Sequence, residues 1–260
     1  MHWARLEIDG QTVFGTVEDD RLRVHAGDMF AGAQPTGETV ALADGHWMTP
    51  CQPSKLIALW NNSRAAAEKN GWATPAEPLY FIKTPNAYNA HERPIPPPAA
   101  YDGRVMYEGE LGVVIGRPLK AATPAEAQAG IFGYTCVNDM TAFELIHRDA
   151  AFEQWTRAKS FDGFAVFGPT IATDVDAAGL VIRTLVNGRE RQNYPASDLI
   201  FAPAEIVARI SQDITLEPGD VIACGTSLGV LPVKPGTTIE VAIDGVGVLR
   251  NLYGAEGAGA

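Results

Sequence analysis

Met106-Tyr107-Glu108-Gly109-Glu110-Leu111-Gly112-Val113-Val114-Ile115-Gly116 is the stretch from which this chain is best read. Its apolar run, Leu111 to Ile115, is short, largely β-branched and closed by Gly116, which predicts a buried strand. Two glutamates stand just before it, spaced i and i+2. Strand side chains alternate with a period of two, so both carboxylates face the same side of the sheet. Two like charges leading into a buried strand need a cation between them, or one must take up a proton. A third carboxylate, Asp139, closes the apolar run of Tyr134-Thr135-Cys136-Val137-Asn138-Asp139, after which a helix from Met140 to Asp149 is predicted. Glu108, Glu110 and Asp139 make an all-oxygen set suited to a hard divalent ion.

Composition bounds the rest. The chain has 260 residues, 46% of them hydrophobic and 20% charged, which are ordinary globular values with no run long enough to span a membrane. A net charge of −11 and a pI near 4.9 argue against nucleic acid as a partner. They leave an anionic small molecule open, because a bound cation and a few basic side chains set the local field. Met1-His2-Trp3-Ala4-Arg5 lacks the basic and apolar regions of a signal peptide. Cys51, Cys136 and Cys224 show no metal-ligand spacing; the last two lie in apolar runs and are expected as buried free thiols. Together these features predict a cytoplasmic protein.

Residues 1–50 read as a small β domain, with hairpin signals at Asp9-Gly10 and across Glu18-Asp19-Asp20. Cys51-Gln52-Pro53-Ser54 marks a boundary. Beyond it a strand over Lys55–Trp60 precedes an alanine-rich helix between Asn61 and Gly71, with asparagine expected as its cap. A strand over Leu79–Lys83 leads into a proline-rich loop, Thr84 to Ala100, which carries His91. Thr123-Pro124-Ala125-Glu126 is a capping box that starts a helix ending at Gly130, and Ala202-Pro203-Ala204-Glu205 opens another helix. Asn187-Gly188 and Asp244-Gly245 are hairpin turns. The class expected is α+β and β-rich, with a flexible tail over 253–260.

The ordered blocks resemble the fumarylacetoacetate hydrolase family. They are Tyr107-Glu108-x-Glu110-Leu111 with Val113-Val114-Ile115-Gly116, then Gly133-Tyr134 to Asn138-Asp139 with Thr141-Ala142. Gln154-Trp155-Thr156-Arg157-Ala158-Lys159-Ser160-Phe161-Asp162 and Phe167-Gly168-Pro169 follow, then Pro218-Gly219-Asp220 and Cys224-Gly225-Thr226-Ser227-Leu228-Gly229-Val230. The resemblance implies a mixed β-roll over 54–252 of the type that forms the family's C-terminal domain, preceded by a small N-terminal β domain, and usually a homodimer. It implies Mg²⁺ or Mn²⁺ on Glu108, Glu110 and Asp139, an active-site lysine at Lys159, and a Gly225-Thr226 turn that meets substrate. The activities it implies act on 2-oxo acids and their enols. One is cleavage of a C–C bond beside a 2-oxo acid, by acylpyruvate-type hydrolysis or by decarboxylation, through a stabilised enolate. The alternative is keto–enol tautomerisation or isomerisation of a 2-hydroxy-dienoate in aromatic catabolism; a third reading is a catalytically silent metal-binding member.

Two positions depart from the family pattern. Hydrolytic members place a histidine and a glutamate on the short helix after the first strand, where the pair activates water. Here Glu68 fills the glutamate position, while the helix offers Arg64 and Ala65 in place of histidine. Arg64 and Glu68, four apart, either pair on the helix surface or Arg64 meets a substrate carboxylate, with Glu68 or His91 left as the base. Phe143 stands where several decarboxylating members have arginine, which points toward a substrate with an apolar or longer arm. Helix packing is the alternative role for that ring.

Overall fold

The computed structural model describes residues 1–254. A twelve-stranded mixed sheet forms the backbone of the molecule. Its path runs from Gln34–Ala41 through Arg21–Ala26, Gln11–Glu18 and His2–Ile8 to Ala165–Ala172, Ile131–Asp139 and Gly109–Ile115. It finishes with Val221–Ala223, Leu56–Trp60 and Leu79–Lys83, and two further strands lie off it, His46–Trp47 on His2–Ile8 and Tyr88–Asn89 on Ala165–Ala172. Most neighbours are antiparallel, but Val221–Ala223 runs parallel to Leu56–Trp60. A four-stranded sheet, Arg189–Pro195, Val181–Val186, Thr237–Ile243 and Gly247–Tyr253, packs over one face, and a three-stranded sheet joins Thr141–Ala142, Val105–Met106 and Pro232–Val233. Among the described residues five short α-helices complete the fold: α1 (Arg64–Asn70), α2 (Pro124–Gly130), α3 (Phe143–Ile146), α4 (Trp155–Lys159) and α5 (Pro203–Asp213).

The continuous apolar run of the quoted stretch is explained by burial on both faces of the sheet. Leu111, Val113 and Ile115 enter the larger core with the four-stranded sheet, while Val114 enters a second core with Val137, Phe167 and Trp3. Residues 1–50 have a small core of their own around Ala4, Leu6 and Leu22, yet they extend the main sheet, because His2 and Trp3 pair with Ala172 and Ile171. All three cysteines are buried free thiols, and burial pushes Cys51 and Cys136 up to about 12. Among the described residues no helix is long and apolar enough to cross a membrane.

Three expectations need correction. The helix foreseen from Met140 to Asp149 shrinks to the four residues of α3, because Thr141 and Ala142 are drawn into pairing with Met106 and Val105. Helix α1 is capped by Ser63, whose hydroxyl accepts from the Ala66 N–H, whereas Asn62 donates to the Cys224 and Phe201 carbonyls. Tyr253 is a buried residue of the last strand, paired with Thr237, so it does not begin the expected tail. The remainder of that tail, 255–260, lies outside the described residues.

Candidate active site

Strand register brings the three carboxylates together. Gly109 pairs with Asn138 and Glu110 with Val137, so Glu108 falls opposite Asp139, whose N–H donates to the Glu108 carbonyl at 2.8 Å. Opposed residues on one face of an antiparallel pair have side chains within reach of each other. One oxygen from each of Glu108, Glu110 and Asp139 lies within 4.8 Å of the others. The residue between the glutamates must be glycine: a Cβ at Gly109 would overlap the Thr184 hydroxyl of the overlying sheet. That sheet grips the Gly109 backbone, since Gln192 accepts from its N–H at 3.0 Å and Tyr194 donates to its carbonyl at 2.7 Å, and Thr226 on a nearby loop donates to the same carbonyl at 3.0 Å.

Two buried lysines meet the cluster. Lys159, at the end of α4, donates to Glu108 Oε1 at 2.8 Å and to Asp139 Oδ2 at 2.6 Å. Lys83, 0% exposed, donates to the other Asp139 oxygen and to the Met140 carbonyl at 3.3 Å. The Thr141 hydroxyl donates to Glu108, and the Gly225 N–H donates to Glu110 Oε2 at 2.7 Å. The second Glu110 oxygen is buried with no partner among the described residues. Buried polar atoms in native proteins are nearly always satisfied, so this orphan marks a place for a cation. Three carboxylates against two ammonium groups leave negative charge in excess, and the all-oxygen donors fit a hard divalent ion.

The charges act on one another. Burial pushes Glu110 well above the ordinary carboxylate range, and repulsion from Asp139 and Glu108 adds to it. Burial would raise Asp139 too, but the ammonium groups of Lys159 and Lys83 outweigh it and hold Asp139 low. Burial alone would lower Lys159; Asp139, Glu108 and Glu110 reverse this and hold it above the ordinary lysine range. For Lys83 burial wins over the pull of Asp139 and lowers it.

Above the cluster opens a cavity of 630 Å³, a size that encloses a small-molecule ligand. Glu108, Thr141, Lys159 and Thr226 line it, whereas Glu110 and Asp139 lie buried and do not. Of the other candidates only Thr226 reaches it. Its hydroxyl is engaged by Gly109 and Gln192, and the Gly225 N–H by Glu110, so this turn orients the carboxylates as well as facing the cavity. Arg64 and Glu68 are exposed and form no ion pair with each other. Arg64 donates instead to the Ile200 carbonyl and lines a separate surface cavity with Asp198; Glu68 lines neither. His91 also sits away from both cavities, its Nδ1 accepting from the Arg250 N–H at 3.0 Å and its ring against Trp47. Neither Glu68 nor His91 is therefore placed to activate water in the cavity.

Lys83 and His147 belong to the site without a role for either having been read from the sequence. Lys83 ends its strand in phase with buried Phe81, a position where a lysine needs an acidic partner, and that phase was the available signal. His147 lines the cavity and sits 3.1 Å from Glu153 Oε1.

The family model described as the fumarylacetoacetate (FAA) hydrolase C-terminal domain matches residues 55–252, and an Rv2993c-like N-terminal model matches 1–50. The solved 2-hydroxyhepta-2,4-diene-1,7-dioate isomerase from Mycobacterium marinum is 36% identical, with a TM-score of 0.88, over 97% of this chain and 98% of that one. Oxaloacetate tautomerase YisK of Bacillus subtilis (strain 168) is 32% identical over 95% of this chain and 87% of its own length. Fumarylpyruvate hydrolase from Pseudomonas aeruginosa, solved in complex with Mn²⁺ and pyruvate, is 29% identical over 78% of this chain and 91% of that one, with a TM-score of 0.72.

Proposed function

The chain belongs to the fumarylacetoacetate hydrolase family, and on that premise we propose that it is a divalent-metal-dependent enzyme of 2-oxo acids. It cleaves a C–C bond beside the 2-oxo acid through an enolate. The observation that carries the reading is the convergence of Glu108, Glu110 and Asp139 under a cavity whose floor also presents Lys159. The Pseudomonas relative, solved in complex with Mn²⁺ and pyruvate, supports a Mg²⁺- or Mn²⁺-type ion here. Such an ion, held by the three carboxylates, would supply Lewis-acid polarisation of the substrate carbonyl. Lys159, held by its hydrogen bonds to Glu108 and Asp139 and lining the cavity, offers a positive charge and a hydrogen-bond donor to an oxyanion. Lys83 fixes Asp139, Thr141 fixes Glu108 and the Gly225 N–H fixes Glu110, so the donor set is arranged before substrate arrives.

A second reading, tautomerisation or isomerisation of an enol, gains from the placement of Glu68 and His91. Hydrolysis needs an activated water, and the two side chains expected to provide it lie off the cavity. Decarboxylation and proton transfer need no such base for water. The deciding experiment follows the ultraviolet absorbance of acylpyruvates and enolised 2-oxo diacids with Mg²⁺ or Mn²⁺, with products identified by mass. Release of a carboxylic acid and pyruvate supports hydrolysis, CO₂ release supports decarboxylation, and an isomer of unchanged mass supports the second reading. No change in any substrate, together with unaltered melting on addition of either ion to the parent and to Glu110→Gln, overturns both.

A further inference from the structure

Beyond its polar floor, the cavity is walled by aromatic rings. Trp60 has Trp72 at 5.3 Å and Trp155 at 5.8 Å between ring centroids, and Phe81 stacks on Trp155 at 5.4 Å. All four rings line the cavity, and so does Phe143. Trp72 and Phe143 are each 41% exposed, which leaves large apolar faces in water next to the carboxylates. Phe143 is held in place by Arg104, whose guanidinium lies 4.7 Å over the ring and whose Nε donates to Glu144 at 2.6 Å.

The wall has no free cation among the described residues. Its charged or titratable side chains are Glu108, Lys159 and His147. Lys159 is bonded to Glu108 and Asp139, and His147 faces Glu153. Arg104 is spent on Glu144 and does not line the cavity. A carboxylate moved in among the rings would lose its hydration and meet no compensating charge. A flat apolar group would instead cover the exposed faces of Trp72 and Phe143 in offset-stacked or edge-on contact.

We propose that the substrate's arm, beyond its 2-oxo acid end, is an aryl or extended apolar group seated against Trp60, Trp72 and Phe143, with no second carboxylate there. This rests on the 2-oxo acid reading given above. The proposal accounts for phenylalanine at position 143 and for three tryptophans on one cavity.

The test uses the full chain loaded with Mn²⁺ and three acylpyruvates, whose acyl arms carry methyl, phenyl or a terminal carboxylate. Turnover is read from enol absorbance, and binding, independently of turnover, from quenching of tryptophan fluorescence. The phenyl arm is expected to exceed the carboxylate arm about ten-fold or more in kcat/KM or in affinity. Trp60→Ala, or Trp60→Leu should the smaller residue unfold the wall, is expected to erase that preference. Phe143→Arg is expected to turn it toward the carboxylate arm. Equal or better handling of the carboxylate arm by the parent, with the methyl compound still bound, overturns this proposal and leaves the 2-oxo acid reading standing. A phenyl preference that survives both Trp60 variants also overturns it. Failure of all three compounds to bind or turn over removes the 2-oxo acid reading and this proposal with it.

Discussion

Two lysines on opposite oxygens of one aspartate have different expected effects. Lys83 contacts Asp139 and the Met140 carbonyl and does not line the cavity, so its loss should be felt as stability. Lys83→Met leaves Asp139 with one buried partner fewer and should cost about 3 kcal/mol in urea unfolding, near the low end for a broken buried pair because Lys159 remains. A change below about 0.5 kcal/mol would mean Lys159 satisfies Asp139 alone. Lys159 faces the cavity, and Lys159→Met should lower kcat by about 10²–10³ with a smaller change in KM. Steady-state kinetics within about threefold of the parent would remove it from the chemistry. Glu108 and Glu110 were legible because strand periodicity dictates a shared face, and Asp139 because a third carboxylate completes an all-oxygen set and falls in an ordered family block. Lys83 was not, since a phase along one strand does not say which strand supplies the counter-charge, and 56 residues separate it from Asp139.

Helix α1 was legible as an element and misleading as a site. Its alanines and terminal glycine dictate the helix, but which face meets the cavity depends on packing: Ala66 and Ala67 are buried, Arg64 and Glu68 are exposed. Glu68→Gln is therefore expected to leave turnover unchanged and to move stability by no more than about 0.5 kcal/mol. Ser63→Ala should matter more. It removes the cap on the Ala66 N–H and a 2.5 Å hydrogen bond to Asp198, costing about 1–2 kcal/mol in thermal or urea unfolding. Ala66 and Asn70 of α1 already line the cavity, so a collapse of turnover in Glu68→Gln with metal binding intact would show that the Glu68 face of the helix turns into it during catalysis. The helix expected after Asp139 was misread for a related reason. Thr141 and Ala142 pair with residues more than thirty positions earlier, and such a partner overrides local helical preference.

At the scale of the molecule, the composition and the ordered motifs indicated a β-rich α+β fold, and the strand count follows from turn signals that the structure keeps at Asp9-Gly10, Asn187-Gly188 and Asp244-Gly245. The joining of residues 1–50 to the main sheet was not legible, because the pairing of His2 with Ala172 spans about two-thirds of the sequence. It carries a prediction. Removal of residues 1–50 bares the Ile171–Ala172 end of the strand edge, where His2 and Trp3 pair, and the faces of Phe132 and Ile171 against which Trp3 packs. The shortened chain is expected to melt lower and to aggregate, as unpaired flat edges do; a monodisperse product in light scattering with unchanged melting would show that the two parts fold separately.

The grip on Gly109 has a further consequence for anyone mapping which changes this protein tolerates. Gln192 accepts from the Gly109 N–H and the Thr184 hydroxyl, and donates to Thr226 and to the Ser227 and Leu228 carbonyls, so one amide spans the carboxylate strand and the cavity loop. A saturation scan scored for growth on the natural substrate would therefore return a second cluster of inactivating alleles on the overlying sheet, at Thr184, Gln192 and Tyr194. Those alleles would read as defects of the active site in carriers whose every catalytic side chain is intact.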